Sequence, residues 1–236
     1  MRTVLEILRE ERAAKVSGGL YHELQIRMAY NSNRIEGSQL SEEQTRAIFE
    51  TNTIFCGDSV GVDDVLETLH HFKAVDYVID IATAKLTEKH IKQLHYIIKH
   101  DTSASALSWF AVGEYKNLAN TVGGRETAKP GDVADRIKIL LARYNAKKKI
   151  SFDDIVEFHV SFERIHPFQD GNGRVGRLVA LKECLKHDIT PFIIEDTKKF
   201  FYYRGLAEWD TSRGYLLDTF RDAQDTFAKL CDYLTA

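Results

Sequence analysis

The sequence predicts an all-α fold, on three observations. Proline is scarce, three in 236 residues, against an average usage of about 5%, and proline breaks helix interiors. Apolar residues recur at helical spacing along most of the chain. Capping residues stand where those stripes begin.

Taken in order, Thr3 caps a first helix with Val4, Leu5 and Leu8 on one side, stopped by Ser17-Gly18-Gly19. A second runs from about Leu20 to Asn33 and breaks at Gly37. Ser41 with Gln44 three residues on is a capping box, opening a helix through Ile48 and Phe49. Val65, Leu66, Leu69, Phe72, Val75 and Ile79 keep helical spacing, as do Ile91, Leu94 and Ile98 behind a Thr87 cap. Further helices are expected at about 132–146, 152–165 (capped by Ser151), 172–187, 197–209 and 214–233. Glu114 to Pro130 breaks the pattern. It carries Gly123-Gly124 and Pro130-Gly131, which are turn signals, and reads as a loop or short β-hairpin. Lys147-Lys148-Lys149 reads as a solvated helix end.

Lys and Arg total 32 against 35 Asp and Glu, a net charge of −3. That balance argues against a chain built to grip nucleic acid or an anionic membrane. A hydrophobic fraction of 44% is too apolar for a disordered chain. Cys56, Cys184 and Cys231 are too few and scattered for a disulfide framework or a cysteine zinc site, and read as small buried apolar groups. There is no run of about 18 apolar residues to span a membrane. The opening residues lack the apolar stretch of a signal peptide, so a cytoplasmic setting is the expectation.

The densest chemistry lies at His166-Pro167-Phe168-Gln169-Asp170-Gly171-Asn172-Gly173-Arg174-Val175-Gly176-Arg177. Pro167 ends one helix near His166, and the stripe from Val175 to Leu185 begins another. The loop between them feeds a helix N-terminus, where free amides and the macrodipole favour an anion. Gly171 and Gly173 let a phosphate approach the backbone closely. Arg174 and Arg177, three apart, share a helix surface where both can meet one polyanion. Asp170 is a hard oxygen ligand suited to magnesium. His166 is a candidate general base.

These twelve residues resemble the Fic-family motif His-x-Phe-x-(Asp/Glu)-Gly-Asn-Gly-Arg-x-x-Arg in full. Leu94-His95, Gly113-x-Tyr115 and Tyr202-Tyr203-x-x-Leu206 extend the likeness over most of the chain. The resemblance implies a helical bundle with a short β-hairpin flap, which transfers AMP from ATP to a Ser, Thr or Tyr hydroxyl of a protein. It implies His166 as base, Phe168 as a core anchor, Asp170 on Mg2+, and Gly171, Asn172 and Gly173 around the α- and β-phosphates. Arg174 would face the β-phosphate region, Arg177 the γ-phosphate and Tyr203 the base. The flap would span about Glu114 to Gly124. Two positions depart from the family: Asp210 replaces a common Asn, and Lys116 a common flap arginine.

Upstream, Ser32-Asn33-Arg34-Ile35-Glu36-Gly37 resembles the Fic inhibition motif (Ser/Thr)-x-x-x-Glu-(Gly/Asn). The resemblance implies that Ser32 and Glu36 inhibit, with the Glu36 carboxylate taking Arg177 from the γ-phosphate. Residues 1–60 would carry that inhibitory helix, about 61–210 the Fic core and about 214–233 a closing helix, in one domain. Expected partners are ATP, Mg2+ and target proteins bearing a hydroxyl, with self-modification and a homo-oligomer both admitted. No nucleic acid or membrane is expected. His70 and His71 lack the i, i+4 spacing of a metal pair and read as packing or solvated groups. Trp109, Phe110 and Phe200-Phe201-Tyr202-Tyr203 read as core. Two other functions stay open: the same fold removing AMP or moving another phosphate-containing group, and a non-catalytic interaction module. Doc-like members place Lys at the second loop glycine, where this chain keeps Gly173.

Overall fold

A computed structural model describes residues 2–54, 57 and 59–235. Cys56 lies outside the described residues. In chain order the elements are α1 (Val4–Ala14), α2 (Leu20–Ile35), α3 (Glu42–Thr51), α4 (Val62–Ile81), α5 (Glu88–Lys99), β1 (Thr121–Val122), β2 (Arg125–Glu126), α6 (Val133–Asn145), α7 (Phe152–Ile165), α8 (Asn172–Lys186), α9 (Lys199–Ala207) and α10 (Arg213–Thr235). The fold is all-α with one small hairpin.

Local chemistry explains most boundaries. Thr3 and Glu6, Ser41 and Gln44, and Ser151 and Asp154 form reciprocal capping boxes that start α1, α3 and α7. Thr87 caps α5 by accepting from the His90 amide. In the hairpin, Thr121 pairs with Glu126 and Val122 with Arg125. Gly123 and Gly124 both have positive φ, 56° and 76°, as the tight two-residue turn between such strands requires.

α8 is the centre of the molecule. It is buried on nearly every side, its polar Arg174, Arg177, Lys182 and Glu183 included. A helix buried all round needs neighbours all round, and α1, α2, α4, α5 and α7 pack against it. Lys182 meets the adjacent Glu183 at 2.7 Å and also donates to the Ala84 carbonyl. One apolar cluster extends from Leu5 to Phe227, and a smaller one of Ala29, Leu40, Ile48 and Phe72 seats α3 against α2 and α4.

Three expectations need correction. α2 runs past Asn33 to Ile35, because Gly37 (φ 109°) turns the chain and lets the Gly37 and Ser38 amides bond back to the Arg34 and Asn33 carbonyls. Glu36 therefore stands at the helix C-terminus. The hairpin continues past Gly124 to Glu126, since its two glycines form the turn and not an end. Trp109, Phe200, Phe201 and Tyr203 are not core: they are 44%, 71%, 53% and 40% exposed. Successive residues of a helix face different ways. α9 turns Tyr202 and Gly205 toward the core, with Gly205 against Leu216 of α10, so its neighbours face out. Cys184 is buried and Cys231 partly so. Among the described residues no helix is long and apolar enough to cross a membrane.

Candidate active site

His166 closes α7 in the left-handed region (φ 50°), its amide still donating to the Phe162 carbonyl at 2.9 Å. Pro167 then diverts the chain into a loop that ends at Gly171 (φ 78°), the residue before α8. A side chain at Gly171 would be strained in that backbone region. Phe168 is fully buried, and its ring lies parallel to that of His95 with centroids 3.9 Å apart. Asn172 fastens the loop to itself: its Oδ1 accepts from the Phe168 amide at 2.8 Å and its Nδ2 donates to the Phe168 carbonyl at 2.9 Å. Its side chain is thus spent inside the loop, which leaves only its backbone for a ligand at the start of α8.

His95 joins three segments. Its Nδ1 accepts from the Gly113 amide at 2.9 Å, so the proton is on Nε2, which donates to the Asp170 carbonyl at 3.1 Å. Burial pushes this imidazole down to about 3, so it stays neutral. The segments on either side of the hairpin are strapped to the loop and to the end of α7 as well. The Lys116 amide donates to the Pro167 carbonyl at 2.9 Å, the Leu118 amide to Gln169 Oε1 at 3.3 Å, and the Ala128 amide to the Ile165 carbonyl at 3.3 Å. Lys116 is buried, donating to Asn120 Oδ1 (2.7 Å) and Thr127 Oγ1 (2.6 Å) across the hairpin's base. Burial, with Arg136 adding, pushes its ammonium down to about 8. Burial and the Lys116 charge in turn push His166 down to about 4, leaving it neutral and able to accept a proton at pH 7.

Asp170 lies in a network of charges. Lys99 Nζ stands 2.7 Å from its Oδ2 and 2.6 Å from Glu67 Oε1, while Arg174 is 2.5 Å from Glu67 Oε2 and 3.4 Å from Asp170. Burial alone would raise the Asp170 carboxyl, but Arg174 and Lys99 hold it down at about 2. An ionised carboxylate whose side chain is still 52% exposed is the hard, reachable donor that magnesium takes. The residues present fit that ion, with Asp170 as the protein ligand and phosphate oxygens and water left to complete the shell.

Arg177 is met from α2. Its Nε donates to Ser32 Oγ at 3.0 Å, and its Nη2 to the Ser32 carbonyl at 2.9 Å and to Glu36 Oε1 at 2.7 Å. Burial would lower this guanidinium, but Glu36 holds it firmly cationic. The carboxylate of Glu36 lies over Gly173, where a Cβ would collide with it and stand 2.9 Å from Arg177 Nη1. Tyr203 donates to the Ile35 carbonyl at 3.5 Å, placing its half-exposed ring beside the end of α2. Burial, with Glu36 adding, pushes its phenol up to about 12. Asp210 is held by Arg164 through two 2.9 Å bonds at the surface.

Sequence reasoning missed Glu67, Lys99 and Glu163. Lys99 follows His95 by one helical turn and so shares its face, a usable signal. Glu163 interrupts the buried stripe of Val156, His159 and Val160 on α7. It lies under Gly176, and burial, with the Glu36 charge adding and Arg177 opposing, pushes its carboxyl up to about 8. It is neutral at pH 7. Glu67 gave no signal in the sequence.

Residues 85–184 match the Fic/DOC family. The chain is 29% identical over 188 residues to the protein adenylyltransferase Fic of Aedes aegypti, covering 77% of this chain and 36% of that protein. It is 30% identical over 187 residues to the same-named protein of Drosophila grimshawi, covering 75% and 36%. The chain thus spans little more than a third of the length of these curated relatives. Its fold is similar to a Fic-domain-containing signaling protein of Bacteroides thetaiotaomicron (TM-score 0.74, 23% identity, 98% of this chain and 90% of that one). It is also similar to a Fic family protein of Desulfovibrio desulfuricans (TM-score 0.72, 21% identity, 93% and 69%). The domain match, the curated relatives and the shared fold agree with the twelve-residue loop, and the chain belongs to the Fic/DOC family.

Proposed function

We propose that this chain is a self-inhibited protein adenylyltransferase, which moves AMP from ATP to a hydroxyl of a protein side chain. The observation that carries the reading is the 2.7 Å contact between Glu36 and Arg177 at the mouth of an intact phosphate loop. Residues 61–210 would be the catalytic core and residues 1–60 the carrier of the inhibitory segment, in one domain.

The backbone of Gly171, Asn172 and Gly173 would receive the α- and β-phosphates at the start of α8, where unpaired amides point outward. Arg174 would neutralise charge near the β-phosphate and Arg177 near the γ-phosphate. Asp170 would hold Mg2+, which supplies further neutralisation of the phosphates when bound. The neutral His166 imidazole would take the proton of the target hydroxyl as its oxygen bonds to the α-phosphorus. The bond to the β-phosphate oxygen then breaks and pyrophosphate leaves. Tyr203 would border the adenine. The hairpin, whose flanking Lys116 and Ala128 bond to Pro167 and Ile165, would hold the target segment extended beside His166. Such transfers depend chiefly on alignment and charge stabilisation. With Arg177 engaged by Glu36, the γ-phosphate loses its partner and the α-phosphate its alignment. Target proteins, this chain among them, and a cytoplasmic setting belong to the same proposal.

Incubation with ATP labelled on either the α- or the γ-phosphate tests it. The α-label should become protein-bound with release of pyrophosphate, and more strongly once Glu36 is removed. Transfer of the γ-label would replace this function with a kinase-like one.

A further inference from the structure

The hairpin beside His166 is closed at its base by one side chain. Lys116 is 2% exposed, yet among the described residues no carboxylate pairs with its ammonium, and the charge that acts on it is that of Arg136, another cation. A buried ammonium without a counter-ion is costly, and it persists only where its hydrogen bonds are made. Those bonds run to both arms of the hairpin. Nζ donates to Asn120 Oδ1 at 2.7 Å, just before β1, and to Thr127 Oγ1 at 2.6 Å, just after β2. The Thr127 hydroxyl faces Asn120 in turn, 2.6 Å from its Oδ1 and 2.9 Å from its carbonyl oxygen.

This knot is moored to the loop that begins at His166. Asn120 Nδ2 donates to the Phe168 carbonyl at 3.4 Å, and the Lys116 amide to the Pro167 carbonyl at 2.9 Å. Both carbonyls lie within two residues of His166. The strands themselves have two residues each, all four exposed. A two-stranded hairpin with no core of its own is marginal, so its position depends on what fastens its base.

We propose that Lys116 is a positioning residue for the transfer reaction: its buried ammonium clamps the two arms of the hairpin over the loop and so sets where a target hydroxyl stands relative to His166. The role rests on the adenylyltransferase reading above. Electrostatics agrees with it. The same ammonium acts against protonation of the His166 imidazole, while the Glu163 carbonyl, Glu36 and Asp170 act for it. One side chain thereby places the acceptor and keeps the base free to take its proton.

The test uses the full chain with Glu36→Gly as parent, α-labelled ATP, and self-modification as the transfer. Lys116→Met keeps the length of the side chain without its charge or donors. It should lower transfer roughly 10–100-fold, as misplacement of a reacting group does, and leave the affinity for ATP unchanged. Amide hydrogen exchange from Asn117 to Thr127 should quicken, and the His166 imidazole, followed by nuclear magnetic resonance and assigned with His166→Ala, should titrate at a higher pH. Lys116→Arg, which keeps a cation and its donors, should recover most of the transfer and the lower titration. Thr127→Val removes one acceptor and should slow transfer and quicken the same amides. Should Lys116→Met fail to fold by circular dichroism, Thr127→Val and Lys116→Arg decide. Transfer and exchange at parent levels in folded Lys116→Met or Thr127→Val overturn the proposal. So does a fall in ATP affinity equal to the fall in transfer, or Lys116→Arg as poor as Lys116→Met. A parent that transfers no α-label counts against the proposed function instead, and the exchange and titration measurements, which need no transfer, still decide whether Lys116 clamps the hairpin.

Discussion

The Glu36 carboxylate fills the space that a side chain on Gly173 would need. An acidic group from the end of α2 thereby lies at the start of α8, the positive end of a helix, with its oxygen 2.7 Å from Arg177. Free amides, dipole and guanidinium make this a place for an anion. The chain's own carboxylate is already there.

Removing that carboxylate should release activity. Glu36→Gly frees Arg177, whose charge-assisted bond is of a kind contributing about 1.5–3 kcal/mol. Self-modification measured with α-labelled ATP should therefore rise roughly 10–100-fold. Arg177→Ala should not activate, because it removes the phosphate's partner together with the lock, and the double variant should match Arg177→Ala. Loss of an AMP-removing activity in Glu36→Gly would instead make Glu36 a group that positions water.

Gly173→Ala probes the same contact from the other side. Its methyl would collide with Glu36 in the parent but would meet only the movable tip of Arg177 once Glu36 is glycine. Overpacking of this sort costs about 1–3 kcal/mol. Urea titrations of the parent, the two single variants and the double variant should give a coupling of about 1 kcal/mol or more, the double being milder than the sum. Additive effects would show that the carboxylate does not occupy this place in solution.

His166→Ala should lower transfer about 10²–10⁴-fold, the usual share of a general base, with circular dichroism unchanged. The pH profile carries a further signature. His166 is pushed by burial and Lys116 down to about 4, so the base stays unprotonated through the weakly acidic range. Measured on Glu36→Gly, which also removes a charge that raises His166, the acid limb of the transfer rate should lie at about pH 4 or below. A limb near the free-histidine value of about 6.5 would place His166 in a wetter site than this one.

Glu163 sets a pH dependence on stability. Its folded-state value is raised to about 8 from an ordinary 4.5, so the folded chain keeps a proton that the unfolded chain releases. The stabilisation is complete below 4.5, declines as pH rises, and is gone above about 8. Glu163→Gln keeps the neutral shape without the titration. Its stability relative to the parent should grow between pH 5 and 8, by at most about 1.4 kcal/mol per unit, and level off above. His71, His95 and His159, held near 3 by burial, cancel in the comparison. A difference constant with pH would mean that Glu163 is ionised throughout.

What the sequence revealed was what one short stretch can encode. Capping boxes and apolar stripes are local, so Thr3, Ser41 and Ser151 marked helix starts that the fold keeps. The loop from His166 to Arg177 is contiguous, and its residue types name their chemistry. Glu67 was invisible in function because it joins Lys99 and Arg174 only when α4 and α5 pack against α8, whereas Lys99 had its spacing from His95 to mark it. Glu163 was passed over because an acidic residue in an apolar stripe gives no sign of its neighbours. The run from Phe200 to Tyr203 misled for a geometric reason: a helix cannot bury four consecutive side chains on one side.

The distance along the chain between Glu36 and Arg177 has a consequence during synthesis. They lie 141 positions apart, so at ribosomal rates of about 5–20 residues per second the carboxylate is made roughly 7–30 seconds before its partner. α8 cannot bury its polar side chains until α2, α4 and α5 are there to receive it, and all three are made first. A newborn molecule therefore completes the loop from His166 to Arg177 with the Glu36 carboxylate already made. No interval arises in which the loop is formed and the carboxylate is still to come.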